Sequence, residues 1–295
     1  MELGTFMEVL SARLQRRLGE KYEISVVTNF RNNSVKVTGM TLKQEGNPIS
    51  PTIYADDLLV PFNQGQADMD EIEQEIINRY ERSKETVKDL DCLDIENGEC
   101  TSRIIFRLVS RELNQHLLTN MPYIPFLDMA ITFHLVAGVT GKYMQTIRIT
   151  KELQKKWGLS VEMLLKLAKK NTEKILPAKI CGLTEMIEKY LGAEERKFTV
   201  AEQLNLIVVT NQLGVNGASA ILYEDMMDKL AEQFRTNLCI VPSSIHEIII
   251  VPDHGQEIQD MFLGILREIN SNFVPKDEVL SNQVYLYRKD DKKFI

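Results

Sequence analysis

Residues 205–251 have the sequence NLIVVTNQLGVNGASAILYEDMMDKLAEQFRTNLCIVPSSIHEIIIV. This stretch contains two strongly apolar runs, Leu206–Thr210 and Ile245–Val251, and both are rich in β-branched residues. Runs of this length and composition are typical of buried strands. Between them lies Gly214–Gly217, which ends in an Asn-Gly pair suited to a backbone with positive φ. The stretch therefore predicts a sheet, and it decides the fold class.

The rest of the chain extends this pattern into three successive units. A C-terminal unit over residues 199–295 is predicted in the order β-β-α-β-β-α-β, with residues 218–223 as its second strand. A polar connection at 83–102 separates an N-terminal unit, 1–90, in the order α-β-β-β-α, from a middle unit, 100–180, in the order β-β-α-α. The predicted fold class is α+β, with sequential α/β units on mixed or antiparallel sheets.

Some local predictions are specific enough to check. Residues 52–60, which lie between two prolines, are predicted to be extended. Residues 111–127 are predicted to be irregular, because Pro122 and Pro125 restrict the backbone. The middle and C-terminal units share a β-turn-β-α pattern. This similarity has two explanations: an internal duplication, or the physical constraints that all such units share.

Composition excludes several classes of protein. The chain has 295 residues, of which 44% are apolar and 26% charged, as in globular proteins with a sizeable core. Its net charge of -7 disfavours a generic polyanion-binding protein. No segment reaches the roughly 18 apolar residues of a membrane span. Residues 1–23 resemble an amphipathic helix more than a signal peptide, so a cytoplasmic location without membrane association is predicted.

Potential catalytic groups are concentrated in Ser243–Glu247, which offers a nucleophile, a base and an acid. If this segment continues the strand that follows it, Ser244 and His246 lie on one face, and Ser243 and Glu247 lie on the other. Residues two apart in a strand are about 7 Å apart, which is poor geometry for a Ser-His dyad. The alternative is a turn capped by serine hydroxyls, with a histidine satisfied by the backbone. The candidate polar site comprises Asn211, Asn216, Ser243, Ser244, His246 and Glu247.

The sequence predicts no metal and no cofactor. The zinc motif H-E-x-x-H is absent, because three isoleucines follow His246 and Glu247. The Gly214–Gly217 loop lacks a following Gly-Lys-Ser/Thr and has no adjacent basic residue, so a plain turn is favoured over a phosphate cradle. The other histidines are spread along the chain, at His116, His134 and His254.

Short motifs along nearly the whole chain form a recognisable set: Pro51–Tyr54, Phe126–Ala130, Ile147–Thr150, Val209–Asn211, Gly217–Ala218, Pro242–Glu247 and Asp277–Ser281. Together they resemble a Firmicutes family catalogued only as a domain of unknown function. The C-terminal unit is also distantly similar to another uncharacterised family of cytosolic bacterial proteins. The resemblance implies no catalytic residue. Because the family occurs on mobile elements, the resemblance implies an accessory or defence-related role.

Three functions remain in competition. The favoured one is a non-catalytic cytosolic protein that binds a protein partner, as an accessory of mobile elements. The second is a hydrolase-like enzyme centred on His246 and Glu247, with groups supplied by Asn211 or Asp128. The third is a nucleic-acid-binding or anti-defence protein that uses the lysine-rich face of residues 151–174, although the acidic pI disfavours it.

Overall fold

The computed structural model describes residues 1–46, 51–87, 99–141, 143–183 and 204–295. Within these residues the strands form three sheets, and every strand pairing is antiparallel. Helices accompany the sheets, so the predicted α+β class is confirmed. Residues 88–98 of the predicted polar connection, and residues 199–203 at the predicted start of the C-terminal unit, lie outside the described residues.

The N-terminal part is a three-stranded sheet, ordered β1-β2-β3, with three helices. Apolar residues at helical spacing on the first helix, among them Phe6 and Leu10, are fully buried. A 3-10 turn at Asn32–Ser34 closes the hairpin between the first two strands. The elements are α1 Leu3–Leu18, β1 Tyr22–Phe30, β2 Lys36–Gln44, β3 Thr52–Tyr54, α2 Asp56–Asn63 and α3 Met69–Val87.

The extended segment predicted at residues 52–60 is wrong beyond Tyr54, because α2 begins at Asp56. Asp56 and Asp57 occupy the first turn of this helix, where the helix dipole favours negative charge. Asp57 also accepts two hydrogen bonds from Arg79 of α3, at 2.9 and 2.7 Å. Contacts such as this one with α3 stabilise a helix in a segment whose flanking prolines suggest an extended chain.

The middle part is a four-stranded sheet around a central strand, β6. β4 pairs along one edge of β6, and β5 and β7 share the other edge. The elements are α4 Glu99–Ser102, β4 Ile104–Ser110, α5 Gln115–Leu118, β5 Tyr123–Phe126, β6 Met129–Thr140, β7 Tyr143–Arg148, α6 Lys151–Lys156 and α7 Val161–Ile175.

Residues 111–127 are more regular than predicted, since they include α5 and β5. Pro125 lacks an N–H group but is compatible with β5, because β5 is an edge strand in the part of the chain that the structure describes and pairs there only with β6. The outer edge of β4 is covered by side chains rather than by a strand. Phe106 N–H donates to Thr172 Oγ1 and Leu108 N–H donates to Ser219 Oγ, both at 3.0 Å.

The C-terminal part is a six-stranded sheet ordered β13-β12-β10-β11-β9-β8. Its first strand comes from residues predicted to end the middle unit, because β8 pairs with β9. The elements are β8 Ala178–Gly182, β9 Ile207–Asn211, a 3-10 helix Gly217–Leu222, α8 Met226–Phe234, β10 Leu238–Val241, β11 Ile248–Pro252, α9 Gln256–Asn272, β12 Tyr285–Arg288 and β13 Lys293–Phe294.

Two sequence predictions in the C-terminal part are wrong. Residues 218–223 are not a strand, because the 3-10 helix occupies most of them. The strand predicted at Ile245–Val251 begins only at Ile248, and residues 243–247 form a turn, which is the alternative that the sequence offers for this segment. This 3-10 helix begins at a close contact: a Cβ on Gly217 would lie 2.2 Å from Thr210 Oγ1 and 2.5 Å from the carbonyl oxygen of His246. The glycine permits close packing, and the positive φ belongs to Asn216, at 52°.

The middle and C-terminal parts share one hydrophobic core. Phe106, Leu108 and Phe133 of the middle sheet belong to the same buried cluster as Val209 and Ile240. The N-terminal part has a separate cluster of its own. The division of the chain into three units stays a prediction. Among the described helices, none combines the length and apolar composition that crossing a membrane requires.

Candidate functional site

One face of the middle sheet is polar, although its strands look uniformly apolar at first sight. Side chains alternate across a sheet, so Arg107, Thr132, His134 and Arg148 lie on the same face. The register places Arg107 opposite Thr132 and His134 opposite Arg148. The other face carries the phenylalanines and leucines of the core. The sheet therefore presents two arginines and a histidine on the side away from that core.

A cavity of about 310 Å³ lies over this polar face. The N-terminal part contributes the tip of the β1–β2 hairpin, and the C-terminal part contributes the turn before β11 and the segment after α9. Its lining residues are Arg31, Asn32, Arg107, Val109, Asn114, Leu117, Leu118, Met121, Thr132, His134, Arg148, Asn216, Ile245, His246, Asp277 and Glu278.

Arg107 is the most unusual residue of the cavity. Its Nη2 donates to Thr146 Oγ1 at 2.9 Å, but its Nε is buried without a hydrogen-bond partner. No carboxylate lies within ion-pair distance of it in the part of the chain that the structure describes. Burial, and secondarily the charge of Arg148, lowers the pKa of Arg107 from 12.5 to about 10. The guanidinium lies deep in the protein but keeps contact with solvent through the cavity.

The neighbours of Arg107 add hydrogen-bonding capacity without a counter-charge. His134 is 6% exposed, and its Nε2 lies 3.1 Å from Thr132 Oγ1, while its Nδ1 is buried without a partner. Burial, with the charges of Arg107 and Arg148, holds the pKa of His134 well below 6.5, so this ring is neutral at neutral pH. Arg148 donates to the carbonyl oxygen of Phe30 at 2.9 Å; its side chain keeps contact with solvent, but partial desolvation lowers its pKa as well.

Two of the predicted site residues, Asn216 and His246, line the cavity. The backbone N–H of Asn216 donates to His246 Nδ1 at 3.2 Å, which places the ring proton on Nε2. This Nε2 lies 3.5 Å from Glu278 Oε1. Near it, Arg31 Nη1 lies 3.8 Å from Asp277 Oδ2. The C-terminal wall of the cavity is therefore acidic, in contrast to the cationic sheet.

The other four predicted residues hold turns and do not line the cavity. Asn211 accepts from Leu213 N–H at 3.0 Å and donates to the carbonyl oxygen of Val215 at 2.8 Å. Ser244 Oγ accepts the backbone N–H of His246 at 3.0 Å, so it does not contact the imidazole ring. Ser243 Oγ lies 3.5 Å from Glu247 Oε1. Burial is the main cause that raises the pKa of Glu247.

The lysine-rich face of α6 and α7 is a separate surface. Its lysines are exposed, and Glu152, Glu162 and Glu173 lie among them in the sequence. Within the described ranges, no group of three or more His, Cys, Asp or Glu side chains is placed to hold a metal ion. The lysines are Lys151, Lys155, Lys156, Lys166, Lys169, Lys170 and Lys174.

Comparison with known families accounts for nearly the whole chain. A family model described as "Family of unknown function (DUF5688)" matches residues 3–289. The chain belongs to this family. The DUF5688 match spans every cavity-lining residue, and it confirms the resemblance to an uncharacterised family that the sequence motifs indicate. No curated protein and no solved structure matches the chain.

The sequence contains a signal for the cavity that reasoning along the chain misses. Arg107 interrupts an apolar strand, and Thr132 and His134 interrupt another at alternate positions. Polar residues two apart in a buried strand indicate one polar face. Seeing that these residues share a face requires the register of β4 against β6, which is a long-range property.

Proposed function

We propose that the protein is a non-catalytic binding protein that holds a small anionic ligand in its central cavity. The observation that carries this proposal is Arg107, a desolvated guanidinium without a carboxylate partner among the described residues. A buried charge is costly unless it is paired. An anion in the cavity would supply the missing pair, and guanidinium groups bind carboxylates and phosphates through two parallel N–H donors.

Charge and size support a small ligand. The cavity lining contains three arginines, Arg31, Arg107 and Arg148, against the two carboxylates of Asp277 and Glu278. Its volume of about 310 Å³ lies at the lower end of the range for ligand pockets. The net charge of -7 disfavours a polyanion spread over the surface, but it does not bear on one enclosed anionic group.

The geometry argues against the hydrolase alternative. His246 has its Nδ1 occupied by a backbone N–H and its Nε2 directed at Glu278, so it is not poised to take a proton from a serine. Ser244 is bonded to the backbone of His246. Asp128, the other suggested participant, accepts hydrogen bonds from Ser281 and Tyr285. The nucleic-acid alternative has less support, because glutamates are interspersed among the lysines of α6 and α7.

We also propose that the protein acts in the bacterial cytosol, with a protein partner, as an accessory of mobile elements. The motif resemblance supports the last point, and cell fractionation with co-purification tests the location and the partner.

The ligand proposal is tested by calorimetric titration with inorganic phosphate, pyrophosphate and succinate. We expect saturable binding of at least one probe, and a loss of tenfold or more in Arg107→Met, since a hydrogen bond to a charged group contributes about 1.5–3 kcal/mol. The matched control is Arg111→Gln, which removes an exposed arginine beyond the end of β4 and should leave binding unchanged. Failure of every probe at millimolar concentration, or equal binding by Arg107→Met, would refute the proposal.

A further inference from the structure

We infer that the ligand is amphoteric: an α-amino-acid-type metabolite whose carboxylate binds Arg107 and Arg148, and whose ammonium group binds Glu278 and Asp277. This inference rests on the proposed anion-binding function. It adds a second recognition group of opposite charge, contributed by a different segment of the chain.

The acidic wall has hydrogen-bonding capacity that the protein does not use. Glu278 Oε1 is 3.5 Å from His246 Nε2, and Asp277 Oδ2 is 3.8 Å from Arg31 Nη1. Both distances exceed those of good hydrogen bonds to charged groups, which are about 2.7–2.9 Å. Each carboxylate therefore has one long ion pair, and the two side chains are 39% and 30% exposed. An ammonium group offers three donors to such acceptors.

Backbone hydrogen bonds hold the segment that carries these carboxylates. The N–H of Ile245 donates to the carbonyl oxygen of Glu278 at 2.8 Å. Asn32 Nδ2 donates to the carbonyl oxygen of Asp277, also at 2.8 Å. The acidic segment is therefore held against both the turn before β11 and the tip of the N-terminal hairpin. The backbone of this wall is therefore in place before binding, so the ligand has to order only the two side chains.

Arg107 and Arg148 lie on the sheet, where β4 and β7 flank β6, and so belong to another wall. Apolar side chains complete the lining: Val109, Leu117, Leu118, Met121 and Ile245. A cationic group, an acidic group and an apolar surface in one small cavity match a ligand with a carboxylate, an ammonium group and an apolar side chain. A purely anionic ligand would be repelled by the acidic wall, whose carboxylates have only the long ion pairs to His246 and Arg31.

The test compares amino acids with their deaminated counterparts: leucine with 4-methylpentanoate, and glutamate with glutarate. We expect at least one amino acid to bind about tenfold or more tightly than its counterpart, as a charged hydrogen bond implies. Glu278→Gln should remove this preference while leaving the affinity for the deaminated acid unchanged or slightly higher. The backbone bond to Ile245 does not involve the side chain, and a melting curve confirms that the variant is folded.

The outcomes separate this inference from the proposed function. Equal binding of both members of each pair, or a preference that survives in Glu278→Gln, overturns the amphoteric ligand and leaves anion binding in place. Tight binding of phosphate or pyrophosphate with no binding of amino acids likewise overturns the amphoteric ligand but not anion binding. Failure of all probes in the wild-type protein overturns the proposed function itself. Arg107→Met should weaken both members of a pair alike.

Discussion

Replacing Arg107 with methionine should stabilise the protein without ligand while weakening its stabilisation by ligand. Burial lowers the pKa of Arg107 from 12.5 to about 10, and one pKa unit corresponds to about 1.4 kcal/mol. The difference of about 2.5 units therefore sets an upper bound of roughly 3.4 kcal/mol on the cost of holding the charge. Contact with solvent through the cavity reduces this cost, and methionine also loses the bond to Thr146, worth roughly 1 kcal/mol.

The sign of the effect follows from the direction of the pKa. A base with a lowered pKa in the folded state destabilises the fold at every pH where it is protonated, and relief begins only as the pH rises through about 10. At neutral pH the methionine variant should therefore gain about 1–2 kcal/mol. A gain of that size corresponds to a rise of a few degrees in the melting midpoint for a protein of this length.

Thermal unfolding with and without ligand measures both parts of this prediction. A ligand at 100 times its wild-type Kd raises wild-type stability by about 2.7 kcal/mol, and a loss of affinity of tenfold or more in Arg107→Met should cut this increment to about 1.4 kcal/mol or less. Arg107→Lys keeps a charge in the cavity and is the control that should gain no stability. If Arg107→Met melts below the wild type and binds ligand normally, Arg107 is a structural residue anchored by Thr146, and the reasoning is refuted.

Three further predictions concern the surroundings of the cavity. Gly217→Ala should lower the free energy of unfolding, measured with denaturant, by about 1–3 kcal/mol and should weaken ligand binding, because the new Cβ would overlap the His246 carbonyl. The control is Gly264→Ala, in open space on α9, which should raise the free energy of unfolding by about 0.5–1 kcal/mol. Asn33→Gly keeps the positive φ but loses three side-chain hydrogen bonds. The free energy of local opening of the hairpin tip, measured by hydrogen exchange, should therefore fall by about 2–4 kcal/mol, and unchanged protection would contradict this. Glu247→Gln should be more stable than the wild type at neutral pH, since burial raises the pKa of this carboxyl, and the difference should vanish below pH 4.5; a difference that persists in acid would exclude this cause.

Local sequence patterns were sufficient for the strands that form the core. Leu206–Thr210 is β-branched and apolar, and its predicted strand agrees closely with β9, while β4, Ile104–Ser110, has the same kind of composition. These segments can be recognised as strands from their own sequence because their side chains are buried on one face or on both. The α+β class followed from their alternation with amphipathic helices.

The cavity and its walls depended on contacts that no local pattern contains. Gly217 begins a 3-10 helix because Thr210 and His246 leave no room for a side chain. The turn at residues 243–247 is set by Ile245, which binds the carbonyl oxygen of Glu278, more than thirty residues away. His246 is predicted as a site residue and lies at the cavity, in the turn that the sequence offers as the alternative to a continuous strand. Arg107 was missed because its role is visible only once the strands are paired.

The hydroxyls that cover the edge of β4 have a consequence for synthesis on the ribosome. The groups that satisfy the N–H donors of Phe106 and Leu108 come from Thr172 and Ser219, 66 and 111 residues later in the chain. An uncovered strand edge is a template for pairing with other chains. The nascent middle sheet therefore has an unpaired edge until residue 219 has left the exit tunnel, so the period of greatest aggregation risk ends only after more than three-quarters of the chain has been made.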